Sequence, residues 1–387
     1  MSEFLPLAGK RVVDLTASLA GPACTQLLAA LGADVVKVEP REGDHARDWG
    51  PPFVADDGAL FFAANAGKRS IALDLGDPRG VEIALRLGGR SDVFVQSLRP
   101  GLAQERGLGA DALRERNPTL VYCSIGAYGP GGPLSDRPGY DPLMQAATGI
   151  MSVTGEPEGP PVRVGVSLVD FATGQWAAIG ILAALLNGGG AVIDTSLYEA
   201  SLALVAGHIA GHAATGEVPE RHGTAFPLIA PYEVFPTRDG ALMISAGSDA
   251  LYERLRLALG LREDPRFRTN PDRVRNRREL VAVLSGTLRT RTTEEWEATL
   301  AEAGVPASPV RNVGQAAQHA QTQALGILQQ LGPGITVAPP LSVDGEHVRH
   351  RGPPPRRGEH TAEVLREIGY APHEVADLVA QGVVSSL

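Results

Sequence analysis

Short apolar runs alternate with helical patterns through the first 125 residues of this 387-residue chain. The apolar runs predict strands at 11–15, 34–39, 92–95 and 120–125, and the stretches between them predict helices at 22–31, 78–87 and 111–116. Strand–helix–strand units at this spacing are typical of a parallel sheet with helices on both faces. Ligands of such sheets bind beside the carboxyl ends of the strands. The N-terminal region therefore predicts an α/β fold with a ligand site at that edge.

A stretch rich in Gly and Pro, 126–170, follows this pattern. Loops this long in a compact domain are usually functional or disordered, and the apolar residues among them favour ordered loops. Asp170 ends the stretch and precedes a strong helical pattern at 171–187, after which a strand is predicted at 191–197. Asp170 is predicted to cap this helix, which would order the carboxylate and keep it ionised. A plain capping role and a catalytic role are compatible.

Residues 229–325 have the pattern of a separate unit. A Thr-Arg-Asp-Gly turn between two apolar runs predicts a hairpin. Helices are predicted at 250–259, at 274–288 and from 293 onwards, and a last helix at 360–368.

Charge and composition exclude several classes of protein. The formal net charge is −9, so a general nucleic-acid binder is not expected. Two cysteines cannot build a disulfide framework, which favours a reducing, cytoplasmic location; Cys24 and Cys123 are expected in the core. No signal peptide is expected, and the longest apolar run, 176–186, is too short to span a bilayer. We therefore expect no membrane partner.

Arginine supplies almost all of the positive charge, because lysine occurs only at positions 10, 37 and 68. A phosphate or carboxylate is therefore expected to meet an arginine. Arg99 and Arg106 lie just after a predicted strand, where a cation is well placed for a phosphate, and Lys68-Arg69 could serve similarly. A solvated arginine is the other interpretation.

The loop after the first strand, 16–22 (TASLAGP), lies where doubly wound folds bind phosphates on a helix N-terminus. An ordinary turn is an equal alternative. The chain has neither the G-x-G-x-x-G pattern of dinucleotide sites nor a P-loop nor a G-x-S-x-G serine motif. The scattered histidines, with His208 and His212 one helical turn apart, predict no metal site.

These segments together resemble the family III CoA-transferases, also called the CaiB/BaiF family. The resemblance covers about residues 6 to 371 and rests on LAGKRVVDLT, AGPACTQLLAALGADVVKVEP, NAGKRSIALDL, RPGLAQERGLG, GYDPLMQAATGIMSVTGEPEGPPVRVGVSLVDFATG, APYEVFPTRDG and PRRGEHTAEVLREIGY. It implies a Rossmann-like large domain built from both chain ends, a smaller inserted α/β domain, and interlocked homodimers. The implied division is a large domain at 1–190, a linker at 191–228, a small domain at 229–325, and a linker with a return to the large domain at 326–387.

The resemblance also implies roles for single residues. Asp170 falls on the family's nucleophile. Residues that fall on, or are expected at, the site for CoA are Leu19, Ala20, Arg41, Leu73, Asp74, Leu75, Ser97, Leu98, Arg99, Arg106 and Tyr140. CoA enters as a substrate, with no metal and no covalent cofactor. A lysine and a glutamine typical of formyl-CoA transferases are Gly126 and Leu19 here, which argues against oxalate or formate as substrates.

Three functions remain open at this point. The first is CoA transfer from an acyl-CoA to a free carboxylic acid through aspartyl anhydride and aspartyl-CoA intermediates. The second is racemisation of a 2-methylacyl-CoA, as in α-methylacyl-CoA racemases, but their catalytic His is Tyr140 here, and a Tyr with a pKa near 10 shuttles protons poorly. The third is an inactive acyl-CoA-binding protein.

The acceptor acid is also open. Arg221 or His222 could meet the distal carboxylate of a C4–C6 dicarboxylic acid. If both are solvated linker residues, their apolar neighbours Ala225, Phe226 and Leu228 favour an acid with an apolar tail.

Overall fold

A computed structural model describes residues 4–385, and its main element is a seven-stranded sheet. Its strands are β1 Arg11–Leu15, β2 Asp34–Glu39, β3 Arg69–Leu73, β4 Val93–Gln96, β5 Val121–Gly126, β6 Val192–Ser196 and β7 Val384–Ser385. The strand order is β7-β3-β2-β1-β4-β5-β6, and only β7 is antiparallel to its neighbour. The predicted α/β fold with a parallel sheet is confirmed, and the predicted strands differ from these bounds by at most one residue at each end.

Helices cover both the connections and the C-terminal end. Those that matter for the site are α1 Ala20–Ala30, α2 Pro78–Gly89, α3 Asp141–Ala147 and α4 Leu168–Leu186. The others in this part of the chain are Ala59–Ala64, Leu102–Glu105, Ala110–Arg116, Leu197–Leu204, Ala206–Thr215, Thr361–Glu367 and Pro372–Ala380, with a short 3-10 turn at His45–Asp48. Asp77 caps α2 by accepting from the Arg79 N–H, and Pro78 occupies the first helical position, as the sequence predicts.

The strands are apolar because both faces of the sheet are covered. Val13, Val36, Phe94 and Tyr122 are almost completely buried, and they belong to one core that the C-terminal helices join through Val364. Parallel sheets covered on both sides are typically built from such continuous apolar runs.

The strand order places a crevice at β1. From β1 the chain continues to β2 and β3 on one side, and then returns to β4 and β5 on the other side of β1. The carboxyl ends of β1 and β4 therefore border the crevice where open α/β sheets bind ligands. The loops after these two strands are joined directly, because the Ala17 N–H donates to Ser97 Oγ at 3.2 Å.

The chain divides into two compact units. The first contains the large sheet and comprises the residues up to Gly149, Val164–Ala210 and the residues from Gln321 onwards. The second comprises Ile150–Arg163 and Gly211–Ala320. These limits differ from the predicted ones, because β6 completes the large sheet, so 191 does not begin a linker. The segment before 164 groups with the second unit, where the Gly223 N–H donates to the Gly155 carbonyl at 2.9 Å. That the units are independent domains stays a prediction.

The second unit has its own core. Strands Tyr232–Pro236, Ala241–Ser245 and Ala307–Pro309 form an antiparallel sheet. The helices are Ile150–Val153, Asp249–Ala258, Asn270–Arg275, Arg277–Leu288, Thr293–Glu302 and Val313–Gln318, with a 3-10 turn at Pro265–Phe267. The predicted helix 274–288 is therefore wrong at its start, because the backbone breaks at Asn276. Helix Ala320–Leu325 and hairpins Leu328–Leu331/Gly334–Val337 and Ser342–Val343/Glu346–His347 then lead back toward the last helices, and another small hairpin joins Phe53–Val54 to Asp57–Gly58.

Helix α4 is long and apolar enough to cross a membrane by length and composition, and 33% of its most apolar window is buried. The apolar run at 176–186 thus belongs to a 19-residue helix. One such helix is weak evidence for a membrane span, and the absence of a membrane partner stays a prediction. Trp176 and Ile179 are each 53% exposed, so this helix leaves an apolar face uncovered in the single chain.

Helix α4 crosses α1 at a glycine. A Cβ on Gly174 would lie 2.6 Å from the Ala20 carbonyl oxygen and 3.1 Å from the Cys24 nitrogen. Both are backbone atoms, which cannot move aside as a flexible side chain could.

We predict that Gly174→Ala lowers the melting temperature by several degrees, although Ala has the higher helix propensity by about 1 kcal/mol. Calorimetry or circular dichroism of the purified variant measures the change. The matched control is Gly286→Ala, which lies in helix Arg277–Leu288 with open space around it and should be neutral or stabilising. Equal melting temperatures for the two variants would contradict the backbone contact.

Candidate active site

Asp170 is the third residue of α4 and is half-buried. It does not cap the helix, contrary to the expectation. The cap comes instead from Asp141 at the start of α3, because Asp141 Oδ2 accepts the N–H groups of Val169 at 2.8 Å and Asp170 at 3.4 Å. The carboxylate of Asp170 is therefore not occupied by capping the helix.

The electrostatic expectation for Asp170 was also wrong. Burial, followed by the negative charge of Asp141, raises the pKa of Asp170 to about 7. The helix N-terminus does not keep the group firmly ionised, because the neighbouring carboxylate already occupies its free N–H groups. A carboxylate with a raised pKa is a better nucleophile than an ordinary one when it is ionised, and such perturbed groups are typical of functional sites.

Asp141 is held by Gln145. The Gln145 amide donates to Asp141 Oδ1 at 2.6 Å, and its oxygen accepts the Val164 N–H at 2.8 Å. Asp141 and Gln145 are both buried. Sequence reasoning considered this segment only for Tyr140 and missed Asp141. The available signal was an acidic residue four positions before a glutamine, which places both side chains on one face of a helix.

The contact at Gly174 brings Asp170 to the loop between β1 and α1. Helices α1 and α4 each connect to a parallel strand of one sheet, so both run antiparallel to the strands and parallel to each other. Their N-termini lie at the carboxyl edge of the sheet. Because Gly174 lies beside Ala20, Asp170, one helical turn earlier, lies beside the residues that precede Ala20. This loop contains Leu19, which is buried, as is Ala20.

Two buried ion pairs hold the loop between β1 and α1 in position. Lys37 Nζ pairs with Asp44 Oδ2 at 2.8 Å and donates to the Thr16 carbonyl at 2.9 Å. Asp44 Oδ1 in turn accepts the Ser18 N–H at 3.1 Å. These contacts bind both the beginning and the middle of the loop to β2 and the turn that follows it.

The second ion pair joins Lys68 to Asp14 at 2.9 Å, and both side chains are completely buried. Burial lowers the pKa of Lys68 to about 8. Burial would raise the pKa of Asp14, but the charges of Lys68 and Lys37 outweigh it and lower that pKa to about 2. The pair is thus charged at neutral pH, and Lys68 is a structural cation; the suggestion that it could bind a phosphate is wrong, because no part of its side chain reaches solvent.

Six of the residues expected at the CoA site line one cavity of about 360 Å³ beyond the carboxyl ends of β2, β3 and β4. They are Arg41, Leu73, Asp74, Leu75, Leu98 and Arg106. Glu42 also lines this cavity, so two carboxylates accompany two arginines, and an anionic group of a ligand would meet the arginines. Their role toward CoA stays a prediction.

The remaining expected residues are more dispersed. Arg99 lines a different cavity and pairs with Glu105 at 2.8 Å, with 62% of its side chain exposed. Ser97 bridges the two loops through the Ala17 N–H. Tyr140 is 55% exposed and stands at the start of α3, directly before Asp141.

No cluster of metal-ligating side chains occurs among residues 4–385. Cys24 and Cys123 are buried free thiols, as predicted, and burial raises the pKa of Cys123 to about 12 and that of Cys24 well above its usual value. Neither thiol can serve as a nucleophile at neutral pH.

The model for "CoA-transferase family III" matches residues 7–361. The chain belongs to this family. Succinyl-CoA:glutarate CoA-transferase of Mus musculus is 38% identical over 98% of this chain and 90% of its own. Succinate–glutarate CoA-transferase of Agrobacterium fabrum is 39% identical over 94% of this chain and 96% of its own. A crystal structure of a CaiB/BaiF family protein from Brucella suis is 37% identical, covers 95% of this chain and 100% of its own, and has a TM-score of 0.88. The resemblance is confirmed: the protein is a family III CoA-transferase.

For this CoA-transferase, we predict that Asp141→Asn shifts the pH dependence of kcat/KM toward lower pH. The resemblance implies that Asp170 attacks in its ionised form, so the rate is expected to fall as pH drops below about 7 in the natural chain. Removing the charge of Asp141 lowers the pKa of Asp170, so the fall should begin at a lower pH.

A pH series of initial rates measures the shift. The control is Asp111→Asn, an exposed carboxylate in helix Ala110–Arg116, which should leave the profile in place. An unchanged midpoint in Asp141→Asn would show that the two carboxylates do not interact.

Proposed function

We propose that this CoA-transferase moves CoA between acyl-CoA and a free acid by covalent catalysis at Asp170. The observation that carries the proposal is the half-buried carboxylate of Asp170, left free by the cap from Asp141 and lying beside the crevice at β1. The match of the surrounding segment to the family's nucleophile supports the same residue.

The reaction needs no net proton transfer. The Asp170 carboxylate attacks the thioester carbonyl of the donor, the C–S bond breaks, and CoA thiolate leaves an aspartyl–acyl anhydride. The thiolate attacks the aspartyl carbonyl of this anhydride and releases the donor acid, leaving aspartyl-CoA. The acceptor carboxylate attacks that thioester, and the released thiolate attacks the new acyl carbonyl, which regenerates Asp170. Splitting the exchange in this way replaces one hard step by several easier ones.

CoA is proposed to bind in the cavity that contains Arg41 and Arg106. Guanidinium groups match phosphate oxygens in geometry and charge, and Leu73, Leu75 and Leu98 supply apolar surface. The cavity lies at the carboxyl edge of the same sheet as Asp170, which suits a long ligand with phosphates at one end and a thioester at the other.

Replacing Asp170 tests the mechanism. Asp170→Ala should reduce CoA transfer more than about a thousandfold while CoA still binds, because loss of a nucleophile typically costs at least that much. Hydroxylamine added during turnover of the natural enzyme should modify the Asp170 peptide, as mass spectrometry can show. The control is Asp136→Ala, a carboxylate on another loop. If Asp170→Ala retains more than about a thousandth of the rate, covalent catalysis at this residue is wrong.

For the acids, we propose succinyl-CoA as a donor and a C4–C6 dicarboxylic acid as the acceptor. Two relatives that align with nearly the whole chain are named for succinyl or succinate and glutarate, which supports this choice. Arg221 was a candidate for the distal carboxylate, but its guanidinium donates to the carbonyls of Glu156 at 3.2 Å and Gly159 at 2.8 Å within the second unit. His222 is exposed and has the other candidate side chain.

We predict a preference for glutarate and succinate over butyrate as acceptors, measured as kcat/KM with succinyl-CoA as donor. A distal carboxylate that meets a cation gains about 1.5–3 kcal/mol, or roughly tenfold or more in kcat/KM. His222→Ala should reduce the constants for dicarboxylates and leave that for butyrate unchanged. A preference for butyrate would favour the apolar acceptor instead.

The racemase alternative gains no support. Tyr140 stands where those enzymes have their catalytic His. Asp249, at the position of their supporting Glu, pairs at 2.8 Å with Arg273, whose side chain is completely buried. Deuterium incorporation at the α-carbon of a 2-methylacyl-CoA, without CoA transfer, would favour the racemase over the transferase.

We also propose a homodimer, interlocked as the resemblance implies. The exposed apolar residues of α4, including Trp176, Ile179 and Leu186, and the helix Ala206–Thr215, which has no buried residue, present more apolar surface than a monomer usually leaves open. Light scattering should give twice the chain mass of 40.5 kDa, and a value of one chain mass would contradict the dimer.

A further inference from the structure

A serine, a histidine and a carboxylate lie in series beside the crevice at β1. Ser18 Oγ is 2.7 Å from His45 Nε2, and His45 Nδ1 is 3.8 Å from Asp44 Oδ1. The proposed exchange of CoA at Asp170 uses none of these three side chains to react with the substrate. A hydroxyl next to a base that is itself next to a carboxylate is the arrangement that activates a serine.

The backbone at Ser18 presents this hydroxyl on a sharp turn. Ser18 has a φ of 68°, in the left-handed region, at the point where β1 turns into α1. Such a conformation is uncommon for a residue with a side chain and persists only where the surroundings hold it. Here the Ser18 N–H donates to buried Asp44, and the neighbouring Ala17 N–H donates to Ser97. Enzymes of the α/β-hydrolase type present their nucleophile on a strained strand-to-helix turn of this kind.

Asp44 and Trp49 both lie close to the His45 imidazole. Asp44 is the carboxylate on the Nδ1 side, and it is almost completely buried while the imidazole is half exposed. The distance of 3.8 Å is too long for a hydrogen bond, so Asp44 acts on the imidazole only through its charge, and the proposal takes Nε2 as the acceptor of the Ser18 proton. Trp49 packs edge-on against the imidazole, with ring centroids 5.1 Å apart, and helps to hold its orientation.

Donors for an oxyanion lie directly after the serine. Leu19, Ala20 and Gly21 form the start of α1, and within residues 4–385 their N–H groups have no hydrogen-bond acceptor. The helix has 11 residues and no side-chain cap at this end. Free N–H groups at a helix N-terminus stabilise negative charge that develops on an adjacent oxygen.

We propose that Ser18, His45 and Asp44 form a second acyl-transfer site that hydrolyses short acyl thioesters and esters. Ser18 Oγ attacks the acyl carbonyl while its proton passes to His45 Nε2. The C–S bond of the thioester breaks, and the leaving thiolate takes that proton. Water then attacks the acyl-serine with His45 as base, the Oγ–C bond breaks, and the proton returns to Ser18 Oγ. The products are a free acid and a thiol.

A search for the G-x-S-x-G motif does not find Ser18, because the two glycine positions hold other residues. The residues two before and two after Ser18 are Thr16 and Ala20, where G-x-S-x-G has glycines. Ser18 lies in the loop that is beside Asp170, so the proposal that Ser18 acts on acyl-CoA rests on the proposed function. The proposal that it hydrolyses a small aryl ester does not rest on that function.

The experiment uses purified full-length protein in four forms: natural, Asp170→Ala, Ser18→Gly and His45→Gln. Glycine adopts a φ of 68° without strain, so Ser18→Gly removes the hydroxyl and keeps the turn. Hydrolysis of p-nitrophenyl butyrate and of butyryl-CoA is measured without an acceptor acid, and labelling by a fluorophosphonate is read by intact mass. Ser308→Ala, an exposed serine, is the matched control.

We expect hydrolysis and a single fluorophosphonate adduct on Ser18 in the natural protein and in Asp170→Ala. Both should fall at least a hundredfold in Ser18→Gly and His45→Gln, and both should persist in Ser308→Ala. Hydrolysis that is lost in Asp170→Ala but kept in Ser18→Gly would come from leakage of the anhydride and would overturn the proposal, as would a natural protein with neither hydrolysis nor adduct. Serine-dependent hydrolysis without any CoA transfer would refute the proposed function alone.

Discussion

The crossing of α4 over α1 at Gly174 is the contact on which the site depends. Because no side chain separates the two backbones there, the first turn of α4 lies beside the loop that ends β1. That loop borders the crevice where the strand order reverses, so Asp170, 23 positions after the end of α3, lies beside a loop formed by much earlier residues of the chain. The same contact leaves the opposite face of α4 apolar and uncovered, which is the physical reason for proposing a dimer.

Buried ion pairs also hold the loop between β1 and α1. The chain has only three lysines, and two of them, Lys37 and Lys68, are completely buried in ion pairs below the loop. A buried pair of this kind is costly to desolvate, and removal of one partner leaves a charge without compensation. These contacts hold the loop at Thr16 and at Ser18, whose backbone is left-handed, whereas the cations that line the cavity are arginines, as the composition suggests.

Asp141 and Asp170 show how two carboxylates in one place take different roles. Asp141 accepts hydrogen bonds from backbone N–H groups and from the Gln145 amide, so both of its carboxylate oxygens have donors. Asp170 loses water by burial and has the charge of Asp141 beside it, so its pKa rises. In the proposed mechanism the raised pKa makes the ionised Asp170 more basic, and therefore a stronger attacking group, than a carboxylate of ordinary pKa.

The sequence by itself determined the α/β class, five of the seven strands of the large sheet to within one residue at each end, and the family, and it singled out Asp170 as the candidate nucleophile. Those features are local, because apolar periodicity and a turn such as Asp77-Pro78 act within a few residues, and a family match sums many weak segments. Only the tertiary structure decided the limits of the two units, the cap on α4 and the raised pKa of Asp170, since each depends on residues far apart in the chain. Asp141 is 29 positions from Asp170, and Ser18 is 27 from His45. Neither pair has a spacing that a pattern can identify; the sheet order and the approach of two helices bring the partners together.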